Sequence, residues 1–130
     1  MMKKMLFIMN PYSGQRRANR YLTEILGLYN RAGYEITVHM TAGPGDGARA
    51  VGRCAADKDV VVCCGGDGTF NEVITGLMQN HIDVPVGYIP AGSTNDFAAT
   101  MHLPTNTMQA AQLVLTGKPT AYDMGKFGDR

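Results

Sequence analysis

The stretch Val60-Val61-Val62-Cys63-Cys64-Gly65-Gly66-Asp67-Gly68-Thr69-Phe70-Asn71-Glu72 constrains the fold of this chain more than any other. Residues 60–64 form an apolar run rich in β-branched side chains, the pattern of a strand buried on both faces in a parallel sheet. From Phe70 the apolar positions are Phe70, Val73, Ile74, Leu77 and Met78, the spacing of a helix with one buried face. Between the two, Gly65, Gly66 and Gly68 surround a single acid, Asp67. Without Cβ atoms, the backbone there lets another group approach closely and permits positive φ. Such a turn hands unpaired N–H groups to a helix N-terminus, which is an anion site. Thr69 and Glu72 also have the S/T-x-x-E spacing of a capping box. Capping accounts for those two residues. It does not account for the glycines, or for an acid placed where the helix dipole favours an anionic ligand.

The rest of the chain repeats the same alternation. Met5-Leu6-Phe7-Ile8-Met9 reads as a buried strand ended by the turn cluster Asn10-Pro11-Tyr12-Ser13-Gly14. Tyr21, Leu22, Ile25, Leu26 and Tyr29 mark a helix that Gly33 ends, and residues 34–40 alternate as a strand. A loop, Thr41-Ala42-Gly43-Pro44-Gly45-Asp46-Gly47, leads to a short helix over residues 48–56. Past the glycine turn, a helix runs from after Thr69 to Gln79, and a fourth strand covers residues 85–89. That strand enters Pro90-Ala91-Gly92-Ser93-Thr94-Asn95-Asp96-Phe97, where Ser93, Thr94 or Asn95 can cap a further helix. Met108, Ala111 and Leu115 suggest a helix ended by Gly117, and Tyr122-Asp123-Met124-Gly125-Lys126-Phe127 reads as the start of a strand.

Strands alternating with helices predict an α/β fold: a three-layer, parallel-sheet domain with right-handed crossovers. Ligands of such sheets sit beyond the carboxyl ends of the strands. The loops that follow strand ends here are polar and built from small residues, so they are expected on one edge as a single composite site. The length of 130 residues suits one domain, and 12 Lys+Arg against 11 Asp+Glu leave no basic field to attract nucleic acid. Cys54, Cys63 and Cys64 have no metal or disulfide spacing and read as small buried hydrophobes in a reducing cytosol. The N-terminal apolar run is too short for a signal sequence, and no run reaches the length of a membrane span.

Several site classes are excluded by pattern. There is no Walker A loop, and no G-x-G-x-x-G at the first strand-to-helix turn; Gly43-Pro44-Gly45-Asp46-Gly47 is a weak mimic of that turn. No serine lies in a G-x-S-x-G elbow. His39, His81 and His102 lack ligand spacing and read as loop or surface residues. Arg16, Arg17 and Arg20 make a small basic patch, either a solvated helix face or a contact for phosphate or anionic lipid.

Taken together, Asn10-Pro11-Tyr12-Ser13-Gly14, Gly65-Gly66-Asp67-Gly68-Thr69-Phe70-Asn71-Glu72-Val73 and Pro90-Ala91-Gly92-Ser93-Thr94-Asn95-Asp96-Phe97 resemble the diacylglycerol kinase catalytic domain. That family comprises bacterial soluble lipid kinases and is related to sphingosine kinases. The glycine stretch alone is shared with NAD kinases; the first and third pieces select the lipid-kinase branch. The resemblance implies an NAD kinase/diacylglycerol kinase-like N-terminal domain that transfers the γ-phosphate of ATP to a lipid hydroxyl with Mg²⁺. It implies that Asn10, Pro11, Tyr12, Ser13, Gly14 and Thr41 line the nucleotide. Gly65, Gly66, Asp67, Gly68, Thr69, Asn71 and Glu72 would hold its phosphates, and Gly92 and Ser93 would close the site. Asp67 is the expected catalytic residue, assisting the acceptor hydroxyl or holding Mg²⁺ directly or through water. Family members carry a β-rich second domain. Residues 1–117 are therefore expected to be the nucleotide-binding domain and residues 118–130 the start of a connection to that second domain, with the acceptor site absent. The expected partners are ATP and a lipid acceptor at the membrane surface, with no nucleic acid and room for a homodimer. The expected location is cytoplasmic with peripheral membrane contact. The rival readings are NAD kinase-like phosphorylation of a soluble acceptor and a non-catalytic nucleotide-binding module.

Overall fold

Two strands with no exposed apolar residue organise the sheet. The structure, a computed structural model, describes residues 3–11, 21–90 and 107–116. The first strand, β1 (Lys3–Met9), has Met5, Leu6, Phe7, Ile8 and Met9 fully buried. It lies between β2 (Tyr34–Met40) and β3 (Val60–Gly65), and β4 (Val86–Pro90) flanks β3. All three pairings are parallel, in the order β2-β1-β3-β4. Near-continuous apolar sequence is what a parallel strand covered on both faces requires.

The two faces bury different sets of side chains. On one, Leu6, Ile8, Val61, Cys63, Val86 and Tyr88 pack against α2 (Asp46–Cys54) and α3 (Asp67–Gln79). On the other, Met5, Phe7, Met9, Val62, Cys64 and Ile89 pack against α1 (Leu22–Arg31) and α4 (Thr107–Thr116). The three layers expected from the βα alternation are thus present, and the adjacent cysteines do face opposite sides. All three cysteines are free thiols. Burial pushes the Cys63 thiol well up and that of Cys64 up to about 12, so both behave as hydrophobes. Tyr29 is buried between α1 and α4, and its hydroxyl donates to the Ala111 carbonyl at 3.0 Å. Desolvation raises its pKa and keeps it a phenol donor.

Element boundaries depart from the periodicity in two places that matter. The helix α3 begins at Asp67, not after Thr69: Gly66 is its N-cap, in extended conformation, and no side chain caps it. The Thr69–Glu72 capping box therefore does not form, because those residues already lie inside the helix. Positive φ is not used at this turn either; among the described glycines it occurs at Gly33 and Gly45. The helix α2 begins at Asp46, ahead of the expected residue 48, and a 3-10 turn (Ala55–Asp57) follows it. Gly33 ends α1 as expected, just after the C-cap Ala32, with φ of 98°. The strand expected within residues 118–130 and the helix expected after Pro90 lie outside the described residues.

The α2/α3 pair is set by glycine. A methyl group at Gly76 would lie 2.7 Å from the Ala48 carbonyl oxygen and 3.0 Å from the Ala48 Cα, so the backbones meet closely there. Gly76→Ala sets a gain in helix propensity of about 1 kcal/mol against an overpacking cost of about 1–3 kcal/mol. The obstacle is backbone, which cannot swing aside, so the cost wins. We expect a net loss of up to about 2 kcal/mol, read as a lower urea midpoint at unchanged slope. A raised midpoint would show that the helices can separate freely.

Candidate functional site

Register places the loops. Met9 pairs with both Met40 and Cys64, and Gly65 with Pro90, so all four strands end at one level. The ladder continues past the strands: the Thr41 amide donates to the Met9 carbonyl at 2.8 Å and the Asn10 amide to the Cys64 carbonyl at 3.1 Å. The chain leaves β1 towards β2 and later crosses back to β3. The point between β1 and β3 is thus the topological switch, where open α/β sheets bind ligands.

A cavity of about 380 Å³ opens at this place. Its floor is Gly66, Gly68 and Thr69, one wall is residues 41–44, and Asn10 and Glu72 complete it. The side-chain amide of Asn10 donates to the Thr69 hydroxyl over a long 3.4 Å, joining the β1 loop to α3. The first bond within α3 runs from the Phe70 amide to the Gly66 carbonyl. The amides ahead of Phe70 therefore have no intrahelical acceptor and lie at the positive end of the helix dipole. A Cβ at Gly68 would meet nothing within 4 Å. No contact within the described protein calls for glycine there; a ligand lying close on the helix end would.

The wall over residues 41–45 is held by two carboxylates. Asp46 Oδ2 accepts from His39 Nε2 at 2.9 Å and from the Ala42 amide at 2.8 Å. Glu72 spans from α3: Oε2 accepts from the Gly45 amide and Oε1 from the Gly47 amide, both at 3.0 Å. Gly47 is buried, and a buried amide deprived of its acceptor costs about 1–3 kcal/mol. Gly45 stands in the left-handed region at φ 82°, which a β-carbon would strain. The run Gly43-Pro44-Gly45-Asp46-Gly47 is therefore a wall shaped around two acids, not a dinucleotide turn.

Asp67 stands apart from this cavity. It is half-buried at the first position of α3, and its Oδ1 accepts from the Tyr88 hydroxyl at 3.1 Å. Tyr88 is buried in β4, and desolvation, with Cys63 and Asp67 adding to it, raises its pKa and keeps the proton on oxygen. The acid thus has a fixed donor on the β4 side. Of the other expected site residues, Gly65 is buried in β3, Asn71 is exposed on α3, and neither they nor Pro11 line the cavity. Tyr12, Ser13, Gly14, Gly92 and Ser93, and the arginine patch at 16, 17 and 20, lie outside the described residues. The cavity wall at Ala42, Gly43 and Pro44 and the partner role of Tyr88 were not anticipated; the glycine-proline run was the available signal for the wall. Among the described residues no group of three or more His, Cys, Asp or Glu gathers as a metal cluster, and no helix is long and apolar enough to cross a membrane.

The hydrogen bond from His39, followed by that from Ala42, holds the Asp46 carboxyl below the usual carboxylate range. Its folded-state value lies below that of the unfolded chain. The stabilisation it gives is present above the ordinary aspartate value of about 4 and is lost as pH falls through the lowered value. We expect Asp46→Asn to remove this acid-range component: the melting temperature of the variant should fall less than that of the parent between about pH 4 and 2. Parallel curves would show that Asp46 carries no such linkage.

Comparison with known proteins agrees with this architecture. The family model for the diacylglycerol kinase catalytic domain matches residues 4–127. The chain is 37% identical over 131 residues to a diacylglycerol kinase of Staphylococcus saprophyticus, covering 100% of this chain and 43% of that protein. It is 36% identical over 124 residues to that of Staphylococcus haemolyticus, covering 95% and 38%. A crystal structure of a diacylglycerol kinase from Bacillus anthracis str. Sterne superposes with a TM-score of 0.79 at 32% identity, over 89% of this chain and 40% of that one. The chain thus spans about two fifths of the length of these relatives. With the sheet, the switch-point cavity and these matches in agreement, the chain belongs to the diacylglycerol kinase catalytic domain family.

Proposed function

We propose that this chain is the nucleotide-binding part of an ATP-dependent lipid kinase that transfers the γ-phosphate of ATP to a lipid hydroxyl. The observation that carries the reading is the end of α3: Gly66, Gly68 and Thr69 floor a cavity at the switch point, and none of the described residues crowds Gly68. Phosphoryl transfer is mostly positioning and charge stabilisation, and backbone amides at a helix end supply both. In this reading the polyphosphate lies on those amides. Asn10, Thr41 and the wall at residues 42–44 flank the nucleoside, together with Pro11, Tyr12, Ser13 and Gly14. Gly92 and Ser93 close the other side.

Mg²⁺ suits the donors present. It binds through one or two carboxylates and the substrate's phosphates while keeping several waters, so a dedicated protein cage is not needed. Asp67 is the carboxylate we assign to it or to the acceptor hydroxyl, and Tyr88 holds one of its oxygens in place. Bound there, the ion would neutralise charge on the transferring phosphoryl group. The acceptor is a diacylglycerol-like lipid met at the membrane surface by a cytoplasmic protein with peripheral contact. The relatives' greater length leaves room for the acceptor side in the rest of those proteins.

The decisive assay offers diacylglycerol vesicles and NAD to the intact protein with labelled ATP and Mg²⁺. Label is expected in lipid, and Asp67→Asn is expected to lower the rate by about 10²-fold or more, the scale of a lost catalytic acid-base or metal contact. Label in NAD alone, or full activity in Asp67→Asn, overturns the assignment. Gly68→Ala separates binding from folding. The methyl meets no atom of the described residues within 4 Å, so stability should hold or rise by a few tenths of a kcal/mol, about what propensity gives near a helix end. ATP affinity should fall about tenfold or more, which corresponds to about 1.4 kcal/mol. Unchanged affinity would place the phosphates elsewhere.

A further inference from the structure

We propose that Glu72 is a positioning residue: it sets the wall over residues 41–45 for the nucleotide and does not bind the nucleotide itself. This rests on the nucleotide reading above. Both carboxylate oxygens are engaged, Oε2 with the Gly45 amide and Oε1 with the Gly47 amide, each at 3.0 Å. Those amides belong to the N-terminus of α2, directly after residues 41–44, which line the cavity. An anionic side chain already sits there, so a phosphate approaching the same amides would have to displace it against like charge.

The glycines show that the fit is made for this carboxylate. A Cβ at Gly47 would stand 2.9 Å from Glu72 Oε1 and 3.4 Å from Glu72 Cβ, so any larger residue pushes the acid out of its seat. Gly45 adopts φ 82°, which turns its N–H towards Oε2. One turn along α3 from Glu72, Gly76 meets the Ala48 backbone and fixes the distance over which the acid reaches. Thr41, whose methyl carbon would stand 3.8 Å from that same Gly47 Cβ, shares the cavity wall with Ala42, Gly43 and Pro44. The carboxylate therefore ties the wall over residues 41–44 to the helix that floors the cavity.

The test compares the intact wild-type protein with Glu72→Ala, Glu72→Gln, Gly47→Ala and the double variant Gly47→Ala/Glu72→Ala. In nucleotide-free protein, hydrogen exchange at the Gly45 and Gly47 amides should quicken about tenfold or more in Glu72→Ala, while β1 and β3 stay unchanged. KM for ATP should rise about tenfold with kcat within about twofold, the signature of lost ground-state positioning. Gly47→Ala should reproduce the KM effect and add nothing once Glu72 is Ala. Glu72→Gln, which keeps one acceptor oxygen, should fall between the two and carries the comparison should Glu72→Ala fail to fold.

Two results overturn the proposal. One is unchanged exchange at Gly45 and Gly47. The other is a KM effect that vanishes when ATP is replaced by its 2′,3′-dideoxy analogue, which would mean that Glu72 touches the ribose. Quickened exchange in a protein whose wild-type form binds no ATP overturns the nucleotide reading, and the positioning role with it, while leaving the clasp as a contact of the fold. The two failures are thus told apart.

Discussion

The parallel register of β1 and β3 is the constraint on which the site depends. Met9 lies level with Cys64 on one side and Met40 on the other, so the chain leaves three neighbouring strands at the same height. Had β3 slipped by one residue against β1, Cys63 and Cys64 would exchange faces. The small thiols would then sit in the wrong cores, and Gly65 would no longer stand level with Asn10. The full burial of residues 5–9 and 61–64 is what pins that register: each strand has a distinct set of side chains for each helical layer. Burying one such side chain is worth about 1.5–3 kcal/mol, so a slip that exposes several is not tolerated.

On that edge, the helices are placed by close backbone approach. Along α3, Glu72, Gly76 and Asn80 recur every four residues and face α2 at Gly47, Ala48 and Gly52. Asn80 carries this contact to the end of the helix, where its side-chain amide donates to the Gly76 carbonyl at 2.8 Å and its Nδ2 would lie 2.9 Å from a Cβ at Gly52. Three glycines at one crossing, two on α2 and one on α3, let the helices pack closely enough for a single carboxylate to bridge from α3 to the loop before α2. Packing and site geometry are the same fact here. The spacing that closes the core on one face of the sheet also delivers the cavity wall.

Much of this was legible in the residue pattern, and what was not has physical reasons. The strands, the three-layer arrangement and the common edge follow from uninterrupted apolar runs and the βα alternation, which depend on burial alone. The start of α3 did not follow. Apolar periodicity begins at Phe70, whereas the helix begins three residues earlier, in residues whose side chains carry no hydrophobic signal. Thr69 and Glu72 matched a capping pattern because that pattern is local, and the competing partners of Glu72, Gly45 and Gly47, are more than twenty positions away in sequence. The same holds for Tyr88, an ordinary strand tyrosine until the fold sets its hydroxyl against Asp67. Long-range polar contacts of this kind leave no periodic trace. Their only mark here was an unexplained excess of glycine in residues 43–47.

The two helix ends at the sheet edge are chemically alike and are used differently. Both have first-turn amides without an intrahelical acceptor and a positive dipole end. At α2 the protein answers them itself: Glu72 takes the amides of Gly45 and Gly47, and the Gly43 carbonyl takes that of Asp46. At α3, whose N-cap is likewise a glycine, no carboxylate among the described residues is shown on the first-turn amides, and a Cβ at Gly68 would meet none of those residues within 4 Å. One Asp or Ser at position 66 would have supplied a cap, typically worth about 1 kcal/mol. In the proposed reading, an anionic ligand takes the place of that cap. On that reading, the contrast favours α3 over α2 as the seat of the polyphosphate and makes α2 a wall. An anion that could choose between two equivalent helix ends would have no defined pose, and in-line transfer requires one.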